Sequence, residues 1–92
     1  MGTSRFPLGR IVATPGALQA IEAAGDSASN YIKRYGMADW GDGNAEDSAA
    51  NERALESASR LFSAYRLSSG EKIWIITETD RRSTCLLLPN EY

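Results

Sequence analysis

The last third of the chain constrains the fold most. Three short runs rich in β-branched and aromatic residues, over 60–67, 72–78 and 83–88, are separated by Ser68-Ser69-Gly70 and by Thr79-Asp80-Arg81-Arg82. Such runs, bounded by turn residues, predict an antiparallel three-stranded meander. In the first run Leu61, Ser63, Tyr65 and Leu67 fall on one face, and Phe62, Ala64 and Arg66 on the other. The middle run is apolar on both faces, Ile73 and Ile75 opposing Trp74 and Ile76. That pattern marks an internal strand with something covering each side.

Upstream, residues 8–14 read as a first strand that Pro15-Gly16 ends. Thr14 can cap a helix whose first position is Pro15, with Leu18, Ile21 and Ala24 on one side and Gly25 as its stop. A second helix follows, capped by Asp26 or Ser27 and apolar along Ala28, Tyr31, Ile32 and Tyr35, with Gly36 as its end. A glycine-rich loop leads to Asn44, the expected cap of a third helix running to about Ala58. That helix packs through Ala50, Ala54, Leu55 and Ala58. The expected fold is one α+β domain over 1–92, with three short helices on a small antiparallel sheet. The first strand joins this sheet, because alone it could not satisfy its backbone groups.

A chain of 92 residues forms a thin core, and oligomerisation is one way to thicken it. A formal net charge of −2 argues against direct nucleic-acid binding, which needs a basic surface. No apolar run reaches the length of a membrane span. The opening residues lack an apolar signal region, and the single Cys85 sits in an apolar run, so a cytoplasmic protein with an unreactive thiol is expected. Histidine is absent, which removes the commonest general base and the commonest metal ligand. No cofactor signature is present.

Asp39-Trp40-Gly41-Asp42 stands out among the loops, because a tryptophan flanked by polar and glycine residues makes a large rigid anchor for a partner. The same aspartates can equally cap helices while Trp40 covers the core. Asp42, Asn44 and Glu46 alternate like the first ligands of a calcium loop. The pattern then fails, with Asp47 where glycine is required and Arg53 where a bidentate glutamate is required, so no metal site is expected. Carboxylates outnumber Arg53 between Asp39 and Glu56, a pattern open to phosphate-backbone mimicry or simply to a solvated helix face. A second cluster joins Arg81, Arg82 and Thr84 near the last turn to Tyr65 on a neighbouring strand. It could serve a histidine-independent ribonuclease, or form ordinary cross-strand ion pairs.

From residue 8 to residue 92 the chain resembles a family of short bacterial proteins associated with mobile elements and described as plasmid-related. The resemblance is carried by residues 8–18, Asp39-Trp40-Gly41-Asp42, Asn51 with Ala54-Leu55, residues 61–65 and 73–78, Asp80-Arg81, Thr84 and the ending at 86–92. Tyr35 departs from it, standing where the family pattern leads one to expect histidine. The resemblance implies no activity. The expected function is a non-catalytic protein-binding module that acts on host defence or plasmid-maintenance machinery. Its expected partner-binding residues are Asp39, Trp40, Asp42, Tyr65, Arg81 and Arg82. A homodimer is also expected, with residues 83–88 as an exposed edge strand and Trp74, Ile76, Leu86 and Leu88 at the interface.

Overall fold

Thr14 starts the helical layer as its sequence position predicts: its hydroxyl accepts from the Ala17 amide at 3.1 Å, and Pro15 occupies the first helical position. The computed structural model describes residues 4–41 and 45–92. In chain order the elements are β1 (Arg10–Ala13), α1 (Pro15–Ala23), α2 (Ala28–Gly36), α3 (Ala45–Ser57), β2 (Leu61–Arg66), β3 (Lys72–Thr77) and β4 (Ser83–Leu87), then a 3-10 turn, Pro89–Glu91. The expected α+β architecture is present. The cap expected at Asn44 lies outside the described residues.

The sheet order is β1-β4-β3-β2. β2, β3 and β4 form the antiparallel meander, while β1 pairs parallel to β4, which makes the sheet mixed rather than antiparallel. The reason is connectivity: three helices intervene between β1 and the meander, so no hairpin forces β1 to reverse direction. β4 is therefore internal, flanked by β1 and β3, and not the edge strand its apolar run suggested. Gly9 makes this pairing possible. It adopts a φ of +65°, and a Cβ there would stand 2.4 Å from the Arg82 carbonyl.

Helices cover one face of the sheet. Leu61, Tyr65, Ile73, Ile75 and Leu86 face them and form one core with Ala17, Ile21, Tyr31, Tyr35 and Trp40. Leu86, expected at a dimer interface, is buried here at 1% exposure. α3 turns Asn51 and Ala54 inward and leaves Ala50 and Ala58 exposed, a rotation from the expected face. Asn51 wins the inward position through hydrogen bonds: its side chain accepts from the Phe62 amide at 3.1 Å and donates to the Phe62 carbonyl at 2.6 Å.

Each helix ends with a residue at positive φ and a bond from the next amide back five positions: Asp26 to Ile21, Asp39 to Arg34, Ser59 to Ala54. Gly25 supplies the left-handed residue in α1. Ala38 (φ 64°) and Ala58 (φ 55°) supply it in α2 and α3. Gly36 is the last residue of α2, as expected, and a Cβ there would stand 2.7 Å from the Ser4 hydroxyl.

Asp26 ties the α1–α2 junction to the β2–β3 turn. Its carboxylate accepts from the Tyr31 hydroxyl and from the Ser68 amide and hydroxyl. These bonds, chiefly that from the Ser68 hydroxyl, hold its pKa below the ordinary aspartate value. A depressed folded-state pKa gives stability that is present above the unfolded pKa and lost as pH falls through the folded one. The Asp26→Asn variant should therefore lose less stability than the wild type between pH 7 and pH 3 in urea titrations. Ala38→Gly and Ala58→Gly should each raise stability by about 0.5–1 kcal/mol in the same assay, because glycine tolerates the left-handed conformation.

Candidate partner-binding surface

The face of the sheet turned away from the helices is the open surface of the molecule. Strand register builds it in rows: Val12, Cys85, Ile76 and Phe62 lie side by side, then Leu87, Trp74 and Ala64, then Lys72 beside Arg66. Arg10 sits beside Ser83 at the opposite end of the strands. The centre of the surface is apolar and its two ends are cationic.

The C-terminal segment crosses this face. Tyr92 packs edge-on against Trp74 with ring centroids 5.6 Å apart, and Trp74 packs edge-on against Phe62 at 4.9 Å. The Arg60 guanidinium donates to the Tyr92 hydroxyl at 2.7 Å and lies 3.7 Å from the Glu78 carboxylate. The bond to Tyr92 raises the Arg60 pKa above the ordinary arginine value. Ile76 is buried among these neighbours, yet Phe62 and Val12 keep 36% and 41% of their surface exposed and Tyr92 keeps 66%. Cys85 lies half-buried on the same face, and burial pushes its thiol pKa up. It is thus a small apolar group at neutral pH rather than a nucleophile.

The residues singled out in the sequence do not converge on this surface. Trp40 is a core residue, 7% exposed, set between Phe6 and Tyr35 at 6.1 and 5.8 Å. Its indole nitrogen donates to Glu52 at 2.8 Å, and Glu52 in turn meets Arg5 at 3.4 Å. Those partners, the indole first, hold the Glu52 pKa below the ordinary value. Asp39 accepts from Arg34 at 2.8 Å and from the Gly41 amide, and the Arg34 bond lowers its pKa. Tyr65 is fully buried and donates to the Asp39 carbonyl, with the Arg34 guanidinium 4.9 Å from its ring centre; burial raises its pKa. The structure thus brings Asp39, Trp40 and Tyr65 together as a brace for the loop after α2. Asp42 lies outside the described residues.

Arg81 and Arg82 stand at the far end of the strands from Tyr65, beyond the Leu61–Thr77 pair. Arg81 donates to the Ala54, Ser59 and Glu78 carbonyls, satisfying the C-terminal end of α3 and pinning it to the β3–β4 turn. Arg82 is exposed and meets Asp80 at 3.5 Å. Thr84 is fully buried, donating to the Leu8 carbonyl at 2.6 Å. Arg81, Arg82, Thr84 and Tyr65 therefore do not surround any common point where a phosphate could sit. The alternation of β2 separates Phe62 from Leu61 and Tyr65 in the sequence, but the apolarity of both faces of β3 hides which face the helices leave open.

Compared with protein-family models, curated proteins and solved structures, the chain matches none of them. The surface itself therefore carries the functional argument. Two substitutions separate core from surface. Trp40→Ala should cost about 3–5 kcal/mol of stability, whereas Arg82→Ala should change it by no more than about 0.5 kcal/mol, both read from urea unfolding.

Proposed function

We propose that the protein is a non-catalytic binding module that docks another protein on the open face of its sheet. The observation that carries this reading is the anatomy of that face. An apolar centre holding a tryptophan and a phenylalanine, rimmed by arginine and lysine, is the composition of protein interfaces. Arg10, Arg60, Arg66 and Lys72 occupy the rim, with Glu78 beside Arg60. A matching partner presents an apolar patch bordered by carboxylates.

Single-stranded nucleic acid fits less well. Stacking platforms interleave cations with exposed aromatic faces along a groove. Here the cations stand at the two ends of a strip whose middle includes Val12, Ile76 and Leu87, and the chain as a whole is acidic. The resemblance to mobile-element proteins makes host defence or plasmid-maintenance machinery the class in which such a partner belongs, and a bacterial cytoplasm its setting.

Charge reversal tests the reading. The wild-type chain, used as bait in a native host, should retain a partner that increasing salt releases. The Arg66→Glu/Lys72→Glu variant should retain at least about tenfold less, because rim charges steer association and set its salt dependence. Glu46→Lys, on the helical side, should retain it normally. Retention indifferent to the sheet-face charges refutes the proposed surface. Cleavage of RNA by the purified chain refutes the non-catalytic reading.

A further inference from the structure

The two edges of the sheet are treated differently. On the outer side of β2, the Asn51 amide occupies both the amide and the carbonyl of Phe62, and Gly41 forms a bridge to Ala64. A side chain and a loop thus take the places that another strand would fill. Gly41 suits this close approach: its φ is +79°, and a Cβ would stand 2.5 Å from the Ala64 carbonyl oxygen. That edge is closed.

The β1 edge is open. The Arg10 and Thr14 amides donate inward to Arg82 and Leu86, so the alternation of the parallel ladder turns the backbone groups of Ile11 and Ala13 outward. Among the described residues, no strand pairs with β1 on that side. β1 is short and begins with Arg10, but its Ile11 and Val12 keep 44% and 41% of their surface exposed and leave an apolar edge there.

The geometry points to a second copy of this chain as the occupant of that edge, paired antiparallel through β1 about a two-fold axis at Val12. This goes beyond the proposed partner surface and does not depend on it. In this register Ile11 of each copy faces Ala13 of the other, and each such pair can exchange both backbone hydrogen bonds. A large residue meets a small one, and Val12 meets its own copy on the axis. Arg10 then stands opposite Thr14 of the other copy. Thr14 donates to the Glu91 carboxylate, so each arginine arrives beside a carboxylate, twice by symmetry. The segment is self-complementary in size and in charge, which an unrelated strand would have to match by chance.

Stacking the open faces on each other, the other way to join two copies, sets cationic rim against cationic rim. Edge pairing avoids that conflict. It also leaves both open faces on the same side of one eight-stranded sheet, doubling the surface available to a partner.

Light scattering on the isolated chain tests the inference. At about 100 µM the wild type should give a mass of about 20 kDa, twice that of one 10.0 kDa chain. Val12→Lys places a cation against its own copy on the axis and should return the mass to that of a single chain. So should Arg10→Glu, which sets carboxylate against carboxylate. The Arg10→Glu/Glu91→Arg double variant should recover the dimer, which a merely structural role for either residue would not predict. Circular dichroism confirms that each variant is folded. Hydrogen exchange supplies a readout independent of Glu91: the Ile11 and Ala13 amides should be protected in the wild type and exchange faster in Val12→Lys. A single-chain mass for the wild type, as expected if the edge takes an extended segment of some other protein, overturns the inference. So does a dimer that Val12→Lys leaves intact.

Discussion

A directed chain of hydrogen bonds through the middle of the core holds the layers together. The Tyr35 hydroxyl donates to Thr77 at 2.8 Å, the two threonine hydroxyls lie 2.8 Å apart, and Thr84 donates to the Leu8 carbonyl at 2.6 Å. Thr84 spends its proton on Leu8, so Thr77 must be the donor between them, and the order runs Tyr35, Thr77, Thr84, Leu8. The chain joins α2 to β3, β3 to β4, and β4 to the segment that leads into β1. All three hydroxyl-bearing residues are fully buried, and burial pushes the Tyr35 pKa up to about 12. Any break leaves a buried hydroxyl without a partner, at a cost of about 1–3 kcal/mol. Such a network specifies one arrangement of the elements, where apolar packing alone would tolerate several.

Fixing Leu8 has consequences for the sheet. With Leu8 held over Thr84 and Gly9 against Arg82, the chain has no choice but to run alongside β4, and β1 becomes the parallel edge. Tyr35 thus has a structural role, tying α2 to β3. The layer of helices follows from the same anchoring, because α2 cannot shift without breaking its bond to Thr77.

Helices cover one face of the sheet, and the C-terminal segment covers part of the other. The two tryptophans illustrate it. Trp40, in a polar glycine-rich stretch, reads either as an exposed anchor or as a cover for the core, and it is a core residue, because Phe6, Tyr35 and Glu52 surround it. Trp74, in an apolar strand, reads as covered on both sides, and among the described residues its outer cover comes from the C-terminal Tyr92 and from Phe62, which leave it half-buried. A residue's neighbours in sequence describe its strand or loop, whereas exposure is set by what packs on it from elsewhere. Burial therefore takes Trp40 and Tyr65 into the core, while the alternation of β2 sets Phe62 and Arg66 on the face away from the helices.

Local physics determined the elements. Thr14-Pro15 starts α1, Gly25 stops it, turn residues separate the strands, and period-two alternation sorts β2 into its two faces. These depend on contacts within a few residues and so are written in adjacent positions. Tertiary structure alone decided the rest. Whether β4 is an edge depends on β1, some 70 residues away. Asn51 reads as a surface helix residue until β2 supplies a backbone edge for its amide to close, and Arg81 reads as a partner-binding or cross-strand ion-pairing residue until the end of α3 supplies its carbonyls. Each of these outcomes is a pairing between distant segments, and no single stretch of the chain contains both partners.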